Sequence, residues 1–144
     1  MTQRTVKQII EGQEPVTAPA DTTVSEAARI MKQHNIGAIM VVENDRLVGV
    51  FTERDGLFRV LAAGLNGDTT ALASVMTRNP QTIAADANFT HALQMMHAGR
   101  YRHLPVIDDG RVIGVVSVRD ALGPELEAFV YEMLRQEQIQ EVLA

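Results

Sequence analysis

The chain has 144 residues, 46% of them apolar and 22% charged, which fits one globular domain or two small halves sharing a core. Its formal charge of −5 gives no global attraction to a phosphate backbone, so a nucleic-acid partner is not expected; the densest basic stretch is the short Arg100-Tyr101-Arg102-His103. Cysteine is absent, which excludes disulfides and thiolate metal sites, and no apolar run reads as a signal segment or approaches the ~20 residues that span a bilayer, so a cytoplasmic protein without a membrane partner is expected.

In chain order, Val6, Ile9 and Ile10 form a short apolar turn at the start of a first unit placed over 5–65. Thr23, with Glu26 three residues on, is a capping-box start. Val24, Ala27, Ala28 and Met31 then follow the i, i+3, i+4, i+7 spacing of a half-buried helix. Two β-rich runs, 38–42 and 47–51, flank the polar turn 43–46 and predict a hairpin. Their near-continuous apolarity predicts burial on both faces. A second helix should carry Leu57, Phe58, Leu61, Ala62 and Leu65 on one face and stop at Asn66-Gly67.

A second unit, 66–123, repeats this order. Leu72, Val75 and Met76 make its apolar turn, Asn88 is its N-cap candidate, and Phe89, Ala92, Leu93 and Met96 are its helix face. Its hairpin runs are 104–107 and 112–116, and Pro105 marks an edge or a bulge. From Pro124, residues 124–144 predict a helix whose stripe of Leu126, Phe129, Val130, Met133 and Leu134 suits core or oligomer contact. Glu137 and Gln138 interrupt that stripe, and its acidic, amide-rich polar face does not suit a membrane surface.

The two units align at a constant offset of 65 without a gap, with 13 identities over the 43 pairs from 15–57 and 80–122. Each hairpin ends in the same motif: Gly49-Val50-Phe51-Thr52-Glu53-Arg54-Asp55 and Gly114-Val115-Val116-Ser117-Val118-Arg119-Asp120. Each motif sits where a strand turns into a helix. The glycine permits close approach of a neighbour or a ligand. The hydroxyl stands at the N-cap, where free N–H groups and the helix dipole suit a phosphate, and a carboxylate one turn in can accept bonds from ribose hydroxyls. The same Ser/Thr-x-x-Asp pair is also an approximate capping box, which stabilises its helix without any ligand. Its occurrence twice, with the same glycine and the same Arg-Asp ending, favours the ligand role.

The double motif resembles a tandem pair of CBS domains, the module named for cystathionine β-synthase. The segments 35–38, 75–80 and 102–106 share the resemblance, which covers 5–123. It implies an α+β fold of two β-α-β-β-α units related by a pseudo-twofold, with two clefts for adenosine-containing ligands: AMP, ADP, ATP, NAD or S-adenosylmethionine. By that resemblance Asp55 and Asp120 hold ribose hydroxyls, and Thr52 and Ser117 contact ribose or phosphate. Backbone near Thr17-Ala18 and Thr82-Ile83 reads the adenine edge, and Ile39, Leu104 and Pro105 flank the base. Arg102, His103 and Arg119 are the phosphate partners, because guanidinium forks match phosphate oxygens.

The copies differ in charge: Arg100, Arg102 and His103 stand where the first copy has Asn35, Gly37 and Ala38. The second cleft is therefore expected to hold a phosphate more tightly. The first is then weaker, tuned to another adenosyl group, or dependent on basic residues borrowed from its neighbour. The histidines His34, His91, His97 and His103 lack metal-ligand spacing, so no metal is expected. No nucleophile–base constellation is evident either. The reading is a stand-alone regulatory or sensor module and a homodimer serving a regulated partner protein. The alternatives are an interaction module with vestigial clefts and, more remotely, a small enzyme acting on a nucleotide.

Overall fold

A computed structural model describes residues 4–122 and 131–139. The order is α1 (Val6–Ile10), β1 (Thr17–Ala18), α2 (Val24–His34), β2 (Ala38–Glu43), β3 (Arg46–Thr52) and α3 (Glu53–Asp55). α3 continues as a π-helical segment, Gly56–Leu61. Then come α4 (Leu72–Val75), β4 (Thr77–Arg78), α5 (Phe89–Gly99), β5 (His103–Asp108), β6 (Arg111–Ser117) and a 3-10 turn, Val118–Leu122. Residues 131–139 are helical and exposed throughout. Of the C-terminal stripe, Leu126, Phe129 and Val130 lie outside the described residues. Among the described residues no helix is long and apolar enough to cross a membrane.

The repeat is visible residue by residue. α2 and α5 both end on a left-handed C-cap, Asn35 and Arg100. Both hairpins turn through two consecutive positive-φ residues, Asn44-Asp45 and Asp109-Gly110, the tight-turn geometry that matches strand twist. Thr23 caps α2 through a bond from the Glu26 N–H, whereas Asn88 occupies the N-cap of α5 without a side-chain bond.

The α+β architecture expected from the sequence is present, with one feature the linear repeat does not announce. The leading apolar turns are exchanged. Val6 and Ile10 of α1 pack into the second core with Ile83, Phe89, Met96, Leu104 and Val116. Leu72, Val75 and Met76 pack into the first core with Met31, Ile39, Phe51 and Val60. The motif glycines make room for this exchange. A Cβ on Gly49 would lie 2.5 Å from Met76 Sδ, and one on Gly114 would lie 2.8 Å from Ile10 Cβ. What approaches each glycine is therefore the exchanged segment of the other half.

The first sheet runs β1-β2-β3-β4, with β1 parallel to β2 and the other neighbours antiparallel. The second named sheet is only the β5-β6 hairpin. Two residues account for the difference. Met40 donates its N–H to Val16 O, but its counterpart Pro105 has no N–H to give. The parallel partner of β5 shrinks to a single bridge, Ile83 to Val106. On the other flank, Val50 pairs with β4, whereas Val115 is served by a side chain. Gln13 Nε2 donates to Val115 O at 3.1 Å, and the Val115 N–H donates to Gln13 Oε1 at 3.0 Å. A carboxamide thus replaces a strand. Between the hairpins, Ala38, Met40 and Val50 meet Leu47, Val112 and Val115 in a third apolar cluster. Alternate residues of β2 serve that cluster and the first core, which explains their unbroken apolarity.

The predicted apolar face of the helix after the first motif is not buried. Leu57, Phe58, Leu61 and Leu65 are between 46% and 71% exposed, and within Gly56–Leu61 only Val60 reaches the core. The wider π-helical turn seats Asp55 and Val60 inward and leaves the leucine–phenylalanine face outward.

Candidate functional site

Each motif carboxylate first serves its own backbone. The Thr52 N–H donates to Asp55 Oδ2 at 3.0 Å and the Asp55 N–H donates to Thr52 Oγ1 at 3.2 Å, a complete capping box. In the second copy the Ser117 N–H donates to Asp120 Oδ2 at 2.8 Å, with the Ser117 hydroxyl 3.5 Å from the same oxygen. The boxes hold both carboxylates in a fixed orientation at the end of a strand. Asp55 is buried, and its Oδ1 lies 3.5 Å from Arg59 Nε.

The first motif opens onto a cleft of about 1120 Å³. One wall is Thr52, Glu53, Arg54 and Asp55 with Leu57, Phe58 and Arg59 from the turns that follow. The opposite wall comes from the second half: Thr77, Asn79, Pro80 and Gln81 below, and Arg100, Tyr101, Arg102 and His103 at the approach to β5. The volume is just above the ~300–1,000 Å³ usual for small-molecule sites. Four arginines and one histidine face two carboxylates there, in a chain of net charge −5. Arg100 holds its place in left-handed backbone (φ 59°), a conformation a non-glycine residue adopts at some cost. The Tyr101 hydroxyl donates to Gln81 Oε1 and ties two parts of this wall together.

His103 stands at the junction of the two motifs. A Cβ on Gly37 would be 3.1 Å from Glu53 Oε1 and 3.2 Å from His103 Nε2, so the two polar groups converge there. Burial pushes the imidazole below its ordinary pKa, Arg102 and Arg119 push the same way, and Glu53 and Asp120 oppose them. Burial also raises the Tyr101 hydroxyl.

Of the residues singled out in the sequence, the cleft brings together Thr52, Asp55, Arg102 and His103. Ser117, Arg119 and Asp120 form the second motif and do not line it, although Arg119 and Asp120 act electrostatically on His103. Thr17 is exposed on β1 and Thr82 is half-buried. Ala18 and Ile39 are buried in the first core and Ile83 and Leu104 in the second, and Pro105 is fully buried. None of these flanks the cleft with its side chain. Basic residues of the second copy thus line the same cleft as the carboxylate of the first. Arg100, part of the basic stretch noted in the sequence, lines the cleft too, as do Arg59, Asn79 and Gln81, which no motif in the sequence marks as site residues. Among the described residues no cluster of His, Asp or Glu has the makings of a metal site.

A family model described as CBS domain matches residues 6–61 and again 72–124. A CBS domain-containing protein of Arabidopsis thaliana, CBSCBSPB3, is 37% identical over 121 residues. That alignment covers 83% of this chain and 22% of the relative, so the chain spans about a fifth of that protein's length. The solved structure of the CBS domain protein NE2398 superposes with a TM-score of 0.80 at 31% identity, covering 87% of this chain and 99% of the other. The CBS domain pair of protein MJ0100, solved with 5'-methylthioadenosine and S-adenosyl-L-methionine, gives 0.74 at 31% identity, covering 83% and 94%.

Proposed function

The chain belongs to the CBS domain family, as a tandem pair, and from that premise we propose that it is a regulatory module whose first cleft binds an adenosine nucleotide by its ribose and phosphates. The observation that carries this reading is the composition of the cleft, which sets Thr52 and Asp55 of one motif opposite Arg100, Arg102 and His103 of the other half. Asp55 would accept the ribose hydroxyls, and the guanidinium groups would take the phosphates. Among adenosyl ligands, the excess of cations favours AMP, ADP, ATP or NAD over S-adenosylmethionine, whose sulfonium is positive. The adenosyl compounds held by the MJ0100 pair support the ligand class. A bound nucleotide would bridge the two halves and shift an equilibrium that a partner protein reads. The second cleft, built on Ser117 and Asp120 with Arg119 as its own cation, would be the weaker for phosphate, the reverse of the order expected from the sequence, because Arg100, Arg102 and His103 line the first cleft. The uncovered Leu57, Phe58, Leu61 and Leu65 support a homodimer. The same uncovered face, with Asp55 already accepting from its own backbone in a complete capping box, favours the second reading, an interaction module.

Thermal unfolding separates the two. A ligand at 100 times its dissociation constant adds about 2.7 kcal/mol, which for a chain of this size raises the melting temperature by several degrees, at roughly 2–4 °C per kcal/mol. ATP should give a larger shift than S-adenosylmethionine, and Asp55→Ala should reduce it more than Asp120→Ala. No shift with any adenosyl ligand leaves the interaction module.

A further inference from the structure

The first motif carries an arginine for which the second has no counterpart. Arg59 Nε lies 3.5 Å from Asp55 Oδ1, and its Nη1 donates to the carbonyls of Val75 (3.2 Å) and Met76 (3.3 Å). One guanidinium therefore joins the motif carboxylate to the segment that leads into β4 and on into the opposite wall of the cleft. The other carboxylate oxygen, Asp55 Oδ2, already accepts the Thr52 N–H. Oδ2 thus has a backbone donor and Oδ1 a half-exposed guanidinium beside it, which together favour one orientation of the carboxylate. The residue 65 positions after Arg59 is Pro124, which has no donor to offer. Among the described residues Asp120 is held through Oδ2 alone, by Ser117.

We propose that Arg59 is a positioning residue: it holds Asp55 in the orientation in which a ribose diol meets it, and so preorganises the first cleft. The inference rests on the nucleotide reading above. Arg59 acts on the ribose end because its guanidinium is already engaged by three acceptors. Arg100 and Arg102 line the same cleft, have no ion pair among the described residues, and remain for the phosphates. Preorganisation of this kind removes an ordering cost from binding instead of adding a contact.

The test is calorimetry of adenosine and of ATP on the full chain, in an Asp120→Asn background so that the first cleft alone reports. Arg59→Met should weaken both ligands by the same factor, roughly two- to fivefold, the scale of a partly exposed ion pair. It should have no further effect on top of Asp55→Asn, since the arginine works through that carboxylate. Arg102→Met should weaken ATP and spare adenosine. A loss confined to ATP on Arg59→Met would make Arg59 a phosphate contact and overturn the proposal, as would an undiminished loss in the Asp55→Asn background. A ligand-free readout stands beside these. The Asp55 carboxylate carbon should change its NMR chemical shift on Arg59→Met without any ligand; an unchanged shift refutes the positioning role whatever binds. A changed shift with no adenosine binding in the unmutated chain defeats the nucleotide reading instead, and the ribose role with it.

Discussion

His103 shows how one side chain is set by both halves. Its counterpart in the first copy is Ala38, an apolar contact between the hairpins. The imidazole faces Glu53 and Asp120 on one account and Arg102 and Arg119 on the other, with burial the largest influence. The unfolded chain titrates this group near about 6.5. The folded value is lower, so the unfolded state takes up its proton first as pH falls. The associated stability is complete above about 6.5 and declines below it, by at most about 1.4 kcal/mol per pH unit, until the folded group also titrates. A phosphate in the cleft reverses the balance by favouring the imidazolium. ATP should therefore bind more tightly at pH 6 than at pH 7.5 while the ligand-free protein melts earlier. His103→Ala should flatten both trends in melting curves and titrations; unchanged slopes would place the proton elsewhere.

Among the elements, α1 is decisive although it has only five residues. Its Ile10 rests on Gly114 so closely that an added methyl would meet the branched Cβ at 2.8 Å. Gly114→Ala should cost about 1–3 kcal/mol as an overpacked core does. Gly49→Ala should cost less, because the closest contact of its added methyl is Met76 Sδ on a flexible side chain, with the Thr77 carbonyl oxygen further off at 3.0 Å. Calorimetric melting of the two variants checks the order, and equal stabilities would mean that α1 is not seated there. This also marks what the sequence could reveal. The offset of 65, the hairpins, the Thr23 cap and both motifs follow from local patterning and are legible, whereas the helix expected to stop at Asn66-Gly67 already ends at Leu61. The destination of the leading turns was not legible, because Val6 and Leu72 are equally apolar and a periodic face does not say which core it enters. Pro105 was readable as an interruption, but its effect on the neighbouring strand needed Val16, Gln13 and Val115 in place. The cleft was half legible: its carboxylate wall lies in a motif, and its cationic wall arrives from about 45 residues further along.

At the scale of the whole molecule, the uncovered helix face and the cleft share one short segment. Leu57 and Phe58 line the cleft, Arg54 stacks over the Phe58 ring, and Leu61 projects further along the same turns. If a second copy covers this face, sedimentation should find the unmutated chain as a dimer at micromolar concentration. Leu61→Asp should then be monomeric without a lower melting temperature of the monomer, since that side chain is 71% exposed. A monomeric unmutated chain would remove the dimer from the account. The exchanged turns have a further consequence, for the history of the chain as well as for its folding. Arg4 donates to the carbonyl of Asp120, at the far end of the described pair, and neither half owns all the pieces of its interior. A single ancestral unit of this kind would have been unfinished alone and completed by a twin. Joining two such units in one chain makes the partner permanent, and from then on the two sites are free to diverge without either half being free to leave.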